Sequence, residues 1–234
     1  FIPSVKIPPA NEYRPIPGAT AETAGAAAAA ALEAAILKAG PETIAAFVFE
    51  PVVGAAGGCV PAPPGYAQAV REICTRHGVL MISDEVMSGA GRCGTWRALE
   101  HDGVEPDIMA IAKGLAGGYQ PLGAAICTTR VWEAIRAKDG AFGTGHTFTG
   151  HTAACAAGVA VQNIVSREGL VEKVAANGPR LKSWLAEGLA GIDAVGDIRG
   201  RGHFIAVELV ANRDTRAPFD KDLRLFMKIR AQAM

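Results

Sequence analysis

The sequence predicts an α/β fold: a mostly parallel mixed sheet covered by helices, followed by part of a small α+β C-terminal domain. Three observations carry that expectation. Helical patterns alternate with short strands, and three of those strands are uninterrupted apolar runs without the in/out alternation of a half-wet antiparallel sheet. Near residue 166 the period changes, and a later strand does alternate. Half of the 234 residues are hydrophobic and 28 are glycine, which suits a large core with many tight turns.

The elements follow in order. Residues 1–18, with prolines at 3, 8, 9, 15 and 17, read as an ordered loop crossing a surface. Alanine dominates Ala21–Lys38, Glu22 falls in the first turn and Gly40-Pro41 stands behind it, so a helix is expected there. "AAFVFE" (Ala45–Glu50) predicts the first strand. Tyr66–His77 puts Val70, Ile73, Cys74 and His77 on one helical face. Further strands are expected over Val79–Glu85, Asp107–Lys113 and Leu122–Thr129.

His151–Ile164, rich in Ala and Gly, is expected as a helix packed tightly inside the domain. A longer helix, Gly169 to about Ala190, carries Leu170, Val174, Leu181, Leu185 and Leu189 as its apolar stripe. "GDIRGRGHF" (Gly196–Phe204) reads as a turn leading into an alternating strand, His203–Val210. A last helix runs from Asp220 to Met234. Residues 1–165 are expected to form part of a large domain, and 166–234 the start of a small one.

Composition narrows the function classes. The chain has 23 basic and 23 acidic residues, which gives no case for nucleic acid or an acidic membrane surface. No apolar run approaches the ~20 residues of a membrane span, and the opening residues lack a signal-peptide pattern. The five cysteines (Cys59, Cys74, Cys93, Cys127 and Cys155) include no C-x-x-C pair and read as reduced, mostly buried thiols of a cytoplasmic protein. His77, His101 and His203 lack metal-ligand spacing, so no metal site is expected.

In open α/β sheets, functional groups gather at the carboxyl ends of strands. Three predicted strands end there in a charged side chain: Glu50, Asp84 and Lys113. Lys113 closes an apolar strand before "GLAGGYQPLG", so it is expected to be partly desolvated, which lowers a lysine pKa and makes the amine a nucleophile towards carbonyls. A buried aspartate could then hold a cationic ring nitrogen. Glu85, the next residue after Asp84, points to the opposite face of the strand and reads as structural. Gly114, Gly117 and Gly118 read as a tight turn rather than a phosphate cradle, and His146, Thr149 and His151 as hydrogen-bonding within a loop.

"FVFEPVVGAAGG", "SDEVMSGAGRCGTW" and "EPDIMAIAKGLAGGYQPLGA", in that order, resemble the class III aminotransferases over about Ile7–Met234. The resemblance implies a fold type I transferase dependent on pyridoxal 5'-phosphate. It implies that Lys113 bonds the cofactor covalently and then moves a proton to and from the substrate, while Asp84 bonds the pyridine nitrogen. Val86 matches the position packed on one ring face. Thr147, in "GHTFTGHTAAC", matches the threonine that reaches the cofactor phosphate of a neighbouring subunit, which implies a homodimer or tetramer with shared active sites. Glu50 is implied to lie near the cofactor, with structural and functional readings both open.

Two departures from the family pattern bear on substrate. Ala55 stands where many members carry a glutamate that governs α-carboxylate binding, and Met87 where many carry glutamine. Both favour a branch moving an amino group from an amine or ω-amino acid to a 2-oxo acid such as pyruvate. Family segments that bind the phosphate and the substrate carboxylate are absent, so a central fragment is expected. A related decarboxylase, an aminomutase and a non-catalytic fragment remain open.

Overall fold

The computed structural model describes residues 3–140 and 142–233, apart from the Asp139 side chain. Phe1, Ile2 and Met234, at the outer edges of the two expected domains and of the last predicted helix, lie outside the described residues.

The proline-rich start forms neither helix nor strand, yet it is tied down far along the chain. Arg14 Nε donates to Glu208 at 2.7 Å, and the Tyr13 ring lies against the guanidinium groups of both Arg14 and Arg216. Helix α1 (Ala24–Ala39) begins three residues later than predicted. The Thr20 N–H bonds Thr23 Oγ1 at 2.8 Å and holds the approach in a turn, so Glu22 falls before the helix and not in its first turn.

Strand β1 (Ala46–Phe49) is followed by two short strands, β2 (Val52–Val53) and β3 (Val60–Pro61), which pair antiparallel around a glycine turn that the sequence did not announce. Helix α2 (Tyr66–His77) matches its predicted span and buries Val70, Ile73 and Cys74. Against this face α1 presents Ala28, Ala29, Leu32 and Ile36. The alanines permit close approach, and each buried Leu, Ile or Val side chain contributes roughly 1.5–3 kcal/mol. His77, at the edge of that face, pairs with Glu33 at 2.8 Å.

Strands β4 (Leu80–Asp84), β5 (Ile108–Ile111) and β6 (Ala124–Cys127) complete a sheet of order β1-β4-β5-β6. The first three strands run parallel and β6 antiparallel, so the sheet is mixed and mostly parallel. All four residues of β6 are exposed, and Val48 of β1 is exposed too. Burial of every strand on both faces is therefore not found, because nothing among the described residues covers those positions.

Helix α3 (Thr129–Asp139) follows β6 and was not foreseen. Helix α4 (Thr152–Arg167) is not an interior helix: only Ala154 and Gly158 are buried, and one face alone packs on the turn after β5. Helix α5 (Leu170–Leu189) has its predicted leucine stripe half-buried.

The "GDIRGRGHF" stretch corrects the sequence reading. Strand β7 (Val195–Arg201) runs through it and pairs antiparallel with β8 (Phe204–Leu209). The apolar alternation was hidden because an inward position of β7 is Arg199, buried with its charge met by Asp197 and Glu208. A 3₁₀ turn, Lys221–Leu223, then separates Asp220 from the last helix, α6 (Leu225–Ala233). No helix of the described residues is long and apolar enough to cross a membrane.

Candidate functional site

Three charged residues mark the carboxyl ends of neighbouring strands. Phe49 pairs with Ser83 and Asp84 with Ala110. Glu50 therefore stands level with Asp84, and Lys113 lies three residues beyond that level on the next strand. The parallel register makes this row, since each strand approaches from the same direction and each ends in a turn.

The turn after Glu50 is closed by its own carboxylate, whose Oε2 accepts the Gly54 N–H at 2.9 Å. Gly54 is confined: an added Cβ would overlap Met87 Sδ and lie 3.3 Å from Glu50 Oε2. Ala55 next to it is exposed. Asp84, half-buried, accepts the Val86 N–H at 3.0 Å through Oδ1. No described hydrogen bond engages its Oδ2, so the carboxylate keeps acceptor capacity for a further donor. Val86 is half-buried beside it.

Glu85 is 1% exposed and satisfied entirely by protein. It accepts N–H bonds from Ala98 at 2.8 Å and Leu99 at 3.1 Å, and a hydroxyl bond from Ser88 at 2.9 Å. Two adjacent acids thus face different tasks: Glu85 anchors a turn, while Asp84 remains available.

Lys113 stands in an unusual backbone conformation. The chain leaves β5 at Ile111, and Lys113 takes φ +45° as it opens a 3₁₀ turn, Lys113–Ala116, that ends on Gly117 at φ +59°. For a residue with a Cβ this left-handed region costs about 1–2 kcal/mol, so the surroundings must hold it. The lysine is exposed, which corrects the expectation of desolvation. It lines an open cleft of about 1020 Å³ with Gln120, His146, Thr149 and His151, and no described residue closes the cleft over the amine.

Thr147 sits in an exposed turn between His146 and Phe148, both of which line that cleft. The turn holds itself together: the His146 N–H donates to Thr149 Oγ1 and the Phe148 N–H to His146 Nδ1, each at 3.1 Å. His151 Nδ1 accepts the Ala154 N–H at 3.2 Å and caps α4. These ring nitrogens are spent on backbone. The Thr147 hydroxyl makes no described bond.

Of the five thiols only Cys74 and Cys93 are buried, while Cys127 and Cys155 are exposed, which corrects the expectation of mostly buried cysteines. Burial pushes the Cys74 thiol up to about 11 and the Cys93 thiol up to about 12. Among the described residues no group of three His, Cys, Asp or Glu side chains could hold a metal ion.

Sequence reasoning missed three residues that shape the candidate site from a distance: Arg199, Glu208 and Gln162. Arg199 donates to Gly58 O and Gly57 O, both at 2.8 Å, and thereby fastens the glycine turn next to Gly54 onto the β7–β8 hairpin. Glu208, bound by both Arg199 and Arg14, would have its pKa raised by burial, yet the two guanidinium groups hold it below the usual carboxylate value. Gln162, on α4, bridges Trp96 and the Leu115 carbonyl. No local pattern signals contacts this far apart in sequence.

The residues present fit a carbonyl-bearing cationic ring such as pyridoxal phosphate. An accessible amine faces an open cleft, and a carboxylate with unused acceptor capacity ends the adjacent strand.

Comparison with known proteins gives the same direction. The family model described as aminotransferase class-III matches residues 2–231. An aminotransferase of Gibberella zeae is 44% identical over 92% of this chain and 42% of its own. A diaminobutyrate–2-oxoglutarate transaminase of Halomonas elongata is 41% identical over 88% of this chain and 44% of its own. A hypotaurine/taurine–pyruvate aminotransferase of Paracoccus denitrificans is 38% identical over 93% and 48%. The solved structure of an (S)-enantioselective omega-transaminase from Thermomicrobium roseum superposes with a TM-score of 0.89 at 38% identity, over 95% of this chain and 49% of that one. The chain spans about half the length of the curated relatives it matches.

Proposed function

The chain belongs to the class III aminotransferases, a pyridoxal-phosphate-dependent family, and on that footing we propose that it carries the lysine-bearing part of an enzyme moving an amino group from an amine or ω-amino acid to a 2-oxo acid. The observation that carries this reading is the row of strand ends, in which the strained, accessible Lys113 stands one strand from Asp84.

Lys113 would hold the cofactor covalently, and its freed amine would take a proton from the substrate carbon that bears nitrogen. Asp84 would hold positive charge on the ring nitrogen through its available carboxylate oxygen. When bound, pyridoxal phosphate supplies an electron sink for the carbon that loses the proton. Val86 would restrain the ring from one face. Glu50 acts beside the cofactor by keeping the Gly54 turn closed.

The exposed Thr147 turn supports a shared site, in which its hydroxyl serves the phosphate bound by a second subunit of a homodimer or tetramer. Residues 1–165 then belong to the large cofactor-binding domain, and 166–234 begin the small one. A cytoplasmic location accords with five free cysteines. Pyruvate as acceptor is favoured by Ala55, which offers no carboxylate, and by Met87 packed over Gly54. Relatives of similar identity are named for pyruvate and for 2-oxoglutarate, so the two acceptors are the pair to compare.

Borohydride reduction of the full-length protein with its cofactor, followed by peptide mapping, tests the reading. A single modified lysine, Lys113, is expected, together with amino transfer that Lys113→Ala abolishes. Modification elsewhere, or turnover surviving in Lys113→Ala, overturns it. Carbon dioxide release, or isomerisation without an external acceptor, would assign the same site to a decarboxylase or a mutase instead.

A further inference from the structure

We propose that Gln162 is a positioning residue for Lys113, acting through the turn that sets the lysine backbone; this rests on Lys113 being the attachment lysine. Gln162 is half-buried on α4. Its Oε1 accepts the Trp96 indole N–H at 3.1 Å, and its Nε2 donates to the Leu115 carbonyl at 2.9 Å. An indole N–H can only donate and a backbone carbonyl can only accept, so one orientation of the carboxamide satisfies both. Trp96 thereby selects the end of Gln162 that reaches Leu115.

Leu115 lies two residues past Lys113, and its N–H donates to the Ala112 carbonyl at 3.0 Å. The turn therefore closes across Lys113, with the N–H of Leu115 bonded on one side and its carbonyl held by Gln162 on the other. The two groups belong to successive peptides of one turn, so a change of φ at Lys113 that leaves β5 in place displaces the turn and disturbs the bond to Gln162.

Helix α4 comes near enough for this contact because it carries glycine where it crosses the loop. A Cβ at Gly158, one helical turn before Gln162, would lie 2.6 Å from Leu122 Cδ2, and a Cβ at Gly117 would lie 3.3 Å from Val161 Cγ2. Those apolar contacts dock the helix without help from the carboxamide. The carboxamide adds orientation, through a route that neither strand pairing nor the cleft provides.

The test uses the full-length protein. Gln162→Met keeps length and packing and removes both bonds, while Gln162→Glu keeps an acceptor for Trp96 and loses the donor to Leu115. Lys113 acylation by an amine-specific reagent is followed across pH in the cofactor-free protein by peptide mass spectrometry, with exposed Lys182 as internal reference. Melting temperature and steady-state kinetics are measured alongside.

Both variants are expected to shift the Lys113 labelling profile severalfold and leave Lys182 unchanged. In the loaded enzyme kcat falls by about 10- to 100-fold with KM little altered. Trp96→Phe gives a smaller shift and adds nothing in the Gln162→Met background. A lowered melting temperature with Lys113 labelling unchanged overturns the proposal and leaves Gln162 a staple between helix and loop. If Gln162→Met does not fold, Gln162→Glu and Trp96→Phe decide the matter by the same readout. Attachment of the cofactor to another lysine, by contrast, would refute the proposed function while the labelling shift at Lys113 persisted.

Discussion

Glu85 Oε2 accepts the Ala98 N–H at 2.8 Å, while Oε1 takes the next amide, Leu99, at 3.1 Å. One buried carboxylate thus satisfies two backbone donors at the start of the 3₁₀ turn Ala98–Asp102, thirteen and fourteen residues along the chain. Buried donors without partners cost about 1–3 kcal/mol each. Glu85→Ala is therefore expected to destabilise the fold by about 3 kcal/mol in urea unfolding. Glu85→Gln should cost less, because its single carbonyl oxygen still accepts one of the two amides. Equal stabilities for wild type and Glu85→Ala would show that the turn finds other partners.

Asp84 should separate fold from function. Its only described bond is to the Val86 N–H, and an asparagine oxygen can accept the same bond. Asp84→Asn is expected to leave stability within about 0.5 kcal/mol while amino transfer falls by about 10²-fold or more, the scale for losing a preorganised charge at a reacting group. Near-normal turnover would remove Asp84 from the proposed chemistry.

The left-handed backbone of Lys113 predicts a stability cost that glycine removes. Lys113→Gly and Lys113→Ala both lack the amine, yet glycine accepts φ +45° without the clash that Cβ creates. Thermal unfolding should find Lys113→Gly more stable than Lys113→Ala by about 1 kcal/mol, with neither active. The opposite order would mean that the lysine is not strained.

Asp107 gives a pH-dependent contribution. Burial alone raises its pKa, but the Met81 N–H and the guanidinium groups of Arg71 and Arg130 outweigh burial and hold the carboxyl below its ordinary value. A depressed folded pKa adds stability that is fully present above the unfolded aspartate value of about 3.9 and is lost as pH falls through the folded one. Asp107→Asn should cost about 1–3 kcal/mol at neutral pH and flatten the acid limb of the stability profile. An acid limb identical to wild type would assign that dependence to other carboxylates.

The candidate site was legible in sequence where residue chemistry follows from local order. A charged residue at the end of each apolar run sufficed to mark Glu50, Asp84 and Lys113, because parallel strands all deliver their carboxyl ends to one edge. The span of α2 was equally plain, since Val70, Ile73 and Cys74 recur at helical spacing. Strand β7 was not: an arginine at its inward position imitates a polar turn until Asp197 and Glu208 are seen to neutralise it.

The sequence by itself determined the strand–helix alternation, the order of the charged strand ends and the backbone breaks that follow them, since these depend on neighbours a few residues apart. Only the tertiary structure decided that Lys113 is exposed and held in a left-handed turn, that Asp84 keeps an unused oxygen beside a fully committed Glu85, and that Gln162 and Arg199 reach the site from distant elements. Burial and hydrogen-bond satisfaction are properties of surfaces brought together by folding. The partners of Leu115 and Gly57 stand 47 and 142 residues away along the chain, a separation that no local period encodes.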